Sequence, residues 1–176
     1  MTYYGGKQIA DSFRTVRGNT LKMAEEIPED KYDYRPTPGT RTVGQQLVHI
    51  ALGPTFSLHV HGSKISDMKT VNFQELMTRI GAEEAKPRSK AEIIAFLKSE
   101  GDRFASFAEG LSDAFLAEQV AMAPGASPAT KSRLEMLLGT KEHEMHHRGQ
   151  LMLVQRMIGI VPHLTREREA AMAARR

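Results

Sequence analysis

A chain of 176 residues, 40% hydrophobic and 26% charged, has the length and composition of one soluble domain with a sizeable core over residues 1–176. It contains no cysteine, which excludes disulfides, thiolate metal sites and cysteine nucleophiles, so any metal must be held by nitrogen and oxygen. The net charge of +3 is spread among interspersed acids such as Glu25-Glu26, Glu83-Glu84 and Arg166-Glu167-Arg168-Glu169, so no nucleic-acid surface is expected. Only Arg175-Arg176 forms a basic pair without a nearby acid, and it reads as a solvated tail. No apolar run approaches the ~18 residues of a membrane span. The first residues, Met1-Thr2-Tyr3-Tyr4-Gly5-Gly6-Lys7, lack the order of a secretory signal, so the cytoplasm is the expected location.

Apolar residues recur at helical spacing and almost nowhere alternate as strands would. Ile9, Phe13, Val16, Thr20, Met23 and Ile27 form one stripe, predicting a first helix from about Lys7 to Ile27, stopped by Pro28. The loop that follows, to Gly39, carries three prolines and cannot continue it. Thr42, with Gln45 three residues on, is a capping box that opens a second helix. His49 lies near its inward face, and Pro54 should kink it and free the carbonyl one turn earlier. From His61 to Arg88 the pattern weakens. A short amphipathic helix over Asn72 to Ala85 would present Phe73, Leu76, Met77 and Ile80 on one face. This stretch is far longer than an antiparallel hairpin needs, which predicts a crossover along the bundle.

Ser89 and Glu92 form a second capping box and start the third helix, which ends near Gly110. Ser112 to Pro128 is a mixed connection. The fourth helix starts at Thr130 or Ser132, the latter with Glu135 at the capping position, and reaches Ile158 with Gly159 as its stop. The expected fold is all-α, a four-helix bundle with a long crossover between helices 2 and 3.

The fourth helix carries the chemistry. Its stripe runs Met136, Thr140, His143, His147, Leu151, Val154, Ile158, so two histidines one turn apart continue an apolar face. Imidazoles at i and i+4 can converge on one ion. Two of them buried without partners would carry a double desolvation penalty. His49 offers a third from another helix, and three imidazoles inside a bundle are best explained by a cation. Three protein ligands leave coordination positions free, the arrangement of catalytic rather than structural sites. Glu142, Glu144 and Gln150 are candidates to accept hydrogen bonds from the ring N–H groups.

The motif His143-x-x-x-His147-Arg148-Gly149-Gln150, with Arg41-Thr42-Val43-Gly44-Gln45-Gln46-Leu47-Val48-His49-Ile50-Ala51 upstream, resembles the DinB/YfiT-like family over nearly the whole chain. The resemblance implies a four-helix bundle of nonstandard crossover topology, commonly a homodimer. It also implies a metal site of His49, His143 and His147 holding zinc or nickel. The activity it implies is thiol S-transferase-like: the ion activates a thiol or a water toward a small-molecule substrate. A protein without cysteine would need a low-molecular-weight thiol as cosubstrate.

Two other readings compete. The same site could bind a metal or small ligand without turnover. Alternatively, His143-Glu144-Met145-His146-His147 satisfies the H-E-x-x-H signature of zinc proteases, with Glu144 as base and Glu167 at the spacing of a third ligand. That protease reading lacks an edge strand and leaves His49 without a role. Of the remaining histidines, His146 points about 100° from His147 on an ideal helix. His59 and His61 are rotated off the His49 face, and His163 is expected in a surface loop. Arg148 is expected to pair with Glu144 at i−4 or to meet a substrate anion.

Overall fold

The computed structural model describes residues 4–175. Met1–Tyr3, at the start of the segment that lacks the order of a secretory signal, and Arg176 of the basic pair lie outside them. In chain order the helices are α1 (Gly6–Glu26), α2 (Val43–Leu52), α3 (Pro54–Gly62), α4 (Phe73–Glu84), α5 (Lys90–Glu109), α6 (Asp113–Ala117), α7 (Arg133–Met157) and α8 (His163–Ala173). Four long rods, α1, α2–α3, α5 and α7, make the bundle. Helix α1 packs on α5 and α7, and α2 packs on the same two. Residues 63–89 cross between the second and third rods and carry α4 on the way. No helix among the described residues is long and apolar enough to cross a membrane.

The starts of these helices follow from local chemistry. Thr42 Oγ1 accepts from Gln45 N while the Gln45 side chain returns to Thr42 N, and Ser89 and Glu92 do the same for α5. Ser132, not Thr130, caps α7 by accepting from Glu135 N. At the other end Gly159 adopts φ +83, the left-handed stop that ends α7. The predicted stripe of α1 is buried throughout: Ile9, Phe13, Val16, Thr20, Met23 and Ile27 all face the interior.

The break in the second rod has a specific outcome. Pro54 cannot donate to Ile50 O, and α2 and α3 separate at Gly53. Ile50 O instead accepts from Gly53 N at 3.2 Å and from the Arg17 guanidinium at 3.2 Å. Arg17 is 3% exposed and sits where the four rods meet. It also donates to Leu97 O on α5 and grips the Glu144 carboxylate on α7 through Nε at 2.9 Å and Nη2 at 3.0 Å. Thr20 Oγ1 adds a third donor to Glu144 at 2.8 Å. Gly101 makes this possible, because a Cβ there would stand 2.8 Å from Arg17 Cγ. The space left by one missing methyl is filled by the guanidinium arm.

Three features depart from expectation. The connection after α5 contains a two-stranded antiparallel hairpin, Gln119–Ala121 with Thr130–Ser132, too short to show alternation in the sequence. The C-terminal stretch forms α8, and His163 at its start is buried rather than on the surface, with Nε2 3.4 Å from Asn19 Oδ1. On α4, Leu76 is buried but Phe73 and Met77 are exposed, so the predicted face is only half covered.

Candidate metal centre

His49 comes from the last turn of α2, just before the break, and His143 and His147 come from adjacent turns of α7. The structure brings all three together across 94 residues of sequence. His49 Nε2 lies 3.1 Å from His143 Nε2 and 3.2 Å from His147 Nε2. Metal–nitrogen bonds of about 2.0–2.1 Å would space ligand nitrogens by about 2.8–3.4 Å, from octahedral to tetrahedral angles. The two separations from His49 match that spacing, and one nitrogen from each of the three rings lies within 4.8 Å of the others.

The second nitrogen of His147, and less directly that of His49, shows which way its lone pair points. His147 Nδ1 is 2.9 Å from Gln150 Oε1, which also accepts from Gln46 Nε2 at 3.1 Å, while the Gln150 amide nitrogen meets His146 Nε2 at 3.1 Å. This network assigns the proton to Nδ1 of His147 and leaves its Nε2 bare. His49 Nδ1 faces Glu84 Oε2 at 3.5 Å, too far for a well-formed hydrogen bond, though the carboxylate still favours a proton on that side. His143 Nδ1 is buried without a partner. It lies against Gly53, where a Cβ would stand only 2.8 Å away, so the absence of a side chain at the helix break gives this ring its room.

The Nε2 lone pairs of His49 and His147, 3.2 Å apart, repel one another unless a cation takes them. A proton would be a poor substitute. Burial, aided by the neighbouring imidazoles, pushes His143 down to about 4. Burial followed by Arg41 lowers His49, and burial lowers His147 against the opposing Gln150 hydrogen bond. Neutral rings at ordinary pH are the form that ligates a metal. The residues present therefore fit a divalent ion.

The surroundings sort the other predicted residues. Gln150 does orient a histidine. Glu144 does not: it is 1% exposed, faces α1, and is consumed by Arg17 and Thr20. As the base of a zinc protease it would be on the wrong side of its helix. Glu167, the third ligand of that reading, pairs with Lys22 at 2.6 Å. Glu142 is exposed. Arg148 forms no ion pair with Glu144 among the described residues, and its Nη1 is buried without a partner. His61 bonds through Nδ1 to Arg133 at 3.4 Å, away from the cluster.

Glu84, at the end of α4, is the residue that sequence reading missed. It joins Arg41 at 2.6 Å to His49, and nothing in its local spacing announces that role. Arg17 was missed too, although a glycine at position 101 inside a helical pattern is a signal of close approach. Beside the histidines an open trench of about 840 Å³ runs between the loop before α2, the end of α4 and the C-terminal half of α7. His147 is the one ring of the three that lines it, alongside Arg41, Glu84 and Gln150.

Four rods with a crossover and a three-histidine cluster define a class, and the sequence places the chain in it. Residues 12–151 match the DinB superfamily, and the chain belongs to that family. Among curated proteins it is similar to the uncharacterized protein YjoA of Bacillus subtilis strain 168, 22% identical over 152 residues covering 86% of this chain and 90% of YjoA. The crystal structure of YjoA superposes with a TM-score of 0.63 at 20% identity, over 86% of this chain and 92% of that one. A DinB-like protein from Bacillus cereus gives 0.66 at 18% identity, covering 88% and 93%. YfiT from Bacillus subtilis, described as a probable metal-dependent hydrolase with an unusual four-helix bundle topology, gives 0.67 at 12% identity over 91% of each chain. Likeness at these identities carries the fold.

Proposed function

We propose that this protein is a metal-dependent enzyme in which His49, His143 and His147 hold a divalent ion, zinc or nickel. The observation that carries the reading is the approach of His49 Nε2 to His143 Nε2 at 3.1 Å and to His147 Nε2 at 3.2 Å, between rings kept neutral by burial. When bound, such an ion supplies Lewis acidity that makes a nucleophile of a thiol or a water near neutral pH. The chain's own residues do the rest. Gln150 fixes the His147 ring, Glu84 sets the charge behind His49, and the trench admits a small molecule to the exposed edge of His147. Because the protein has no cysteine, a low-molecular-weight thiol would enter as cosubstrate for S-transfer. Hydrolysis is the second reading, supported by the description of YfiT.

The test is metal content by mass spectrometry on wild type and on His49→Ala, His143→Ala and His147→Ala, followed by turnover assays. Stoichiometric zinc or nickel in wild type, lost in each variant, is the expected result. Unchanged metal in all three variants would sink the site. Metal-dependent consumption of an electrophile only with added thiol identifies transfer, whereas consumption without thiol identifies hydrolysis. No turnover with either leaves a metal-binding module and overturns the enzymatic reading.

A further inference from the structure

The charges in the trench are unequal. Its walls carry two guanidinium groups, Arg35 and Arg41, and one carboxylate, Glu84. Glu84 is already committed to Arg41 at 2.6 Å. Arg35 bonds only to neutral oxygens, the Thr40 carbonyl and Gln45 Oε1, and forms no ion pair among the described residues. Those two bonds hold its planar fork in place without neutralising it. Beyond the histidine, α7 presents Leu153, Val154 and Met157 to the same space; Leu153 is 62% exposed and Met157 51% exposed. The trench thus combines a pinned, uncompensated cation, an apolar wall and a histidine edge.

From this we infer that the substrate is a small amphipathic monoanion, its carboxylate held by Arg35 and its apolar body lying along Leu153, Val154 and Met157. A guanidinium fork matches a carboxylate in two parallel hydrogen bonds. A cleft with one sign of excess charge concentrates ligands of the other. One uncompensated charge suits a singly charged head group better than a phosphate monoester carrying close to two. The inference deepens the reading of the metal site by naming a substrate class, and the two can fail separately.

The experiment is an NMR titration of metal-loaded protein with hexanoate, hexanol and hexyl phosphate, repeated with Arg35→Gln and with chelator-treated protein. Arg35 is an exposed loop residue, so the variant is expected to fold, and an unchanged melting temperature checks this. Wild type should prefer hexanoate over hexanol by roughly tenfold. Arg35→Gln should abolish that preference while leaving metal content and hexanol affinity unchanged. Equal binding of hexanoate and hexanol, or tighter binding of hexyl phosphate than of hexanoate, would overturn the inference. So would a preference that survives Arg35→Gln but vanishes on chelation, because the carboxylate would then sit on the ion; that result leaves the metal site standing. If the protein holds no metal yet shows an Arg35-dependent preference, the carboxylate site stands and the metal reading falls.

Discussion

Arg17 and Glu144 carry opposite charges into the centre of the bundle, and each is usable only because the other is there. A buried ion pair contributes little net stability over an apolar replacement, yet removing one partner leaves an uncompensated charge. Arg17→Met is therefore expected to destabilise the protein by about 3–5 kcal/mol, read from urea denaturation. The double variant Arg17→Met with Glu144→Met should recover most of that loss. If the double variant is no more stable than the single one, the pair is not the constraint described. The same geometry separates two neighbours on α7: Glu144 turns toward α1 and holds the scaffold, while His143 turns toward α2 and the site.

At the scale of elements, the decisive feature is the break between α2 and α3. Pro54 ends α2 and releases Ile50 O to Arg17, and Gly53 leaves the pocket into which the His143 ring fits. A methyl at 2.8 Å from Nδ1 must displace the ring, since α7 is held on its far side by Glu144. If His143 holds the proposed ion, Gly53→Ala is expected to weaken metal affinity by about 10–100-fold, the range seen when groups supporting a ligand are disturbed, with little change in helix content. Metal titration followed by competition with a chelator, alongside circular dichroism, checks both halves. The crossover helix α4 acts at the same scale, since it delivers Glu84 to His49 from outside the four rods.

Across the whole molecule, the histidine cluster ties α2 to α7, two rods with no covalent connection nearby. An ion bound there would stabilise only the folded state, by about 4 kcal/mol at a thousandfold excess over its dissociation constant. For a chain of this size that corresponds to a rise in Tm of roughly 8–16 °C. Calorimetry of chelated protein with and without added zinc or nickel should show the rise, and His49→Ala should abolish it. An unchanged Tm in wild type would mean that the three rings satisfy one another without a metal.

The amino-acid sequence by itself determined the four rods, the capped starts at Thr42 and Ser89, a start for the last rod at Thr130 or Ser132, the glycine stop at 159 and the interruption at Pro54. These depend on interactions within a few residues of chain, which periodicity and capping chemistry display directly. It also singled out His49, His143 and His147, because imidazoles at helical spacing on an inward face are costly without a purpose, and it offered Gln150 only as one candidate beside Glu142 and Glu144. Only the tertiary structure decided that Glu144 belongs to Arg17, that Glu84 stands behind His49, that His163 is buried and that Arg35 is left unneutralised beside the trench. A charged side chain looks the same in sequence whether it meets water or a partner from a distant helix. Which one it meets is set by contacts that the fold alone brings within a few ångströms.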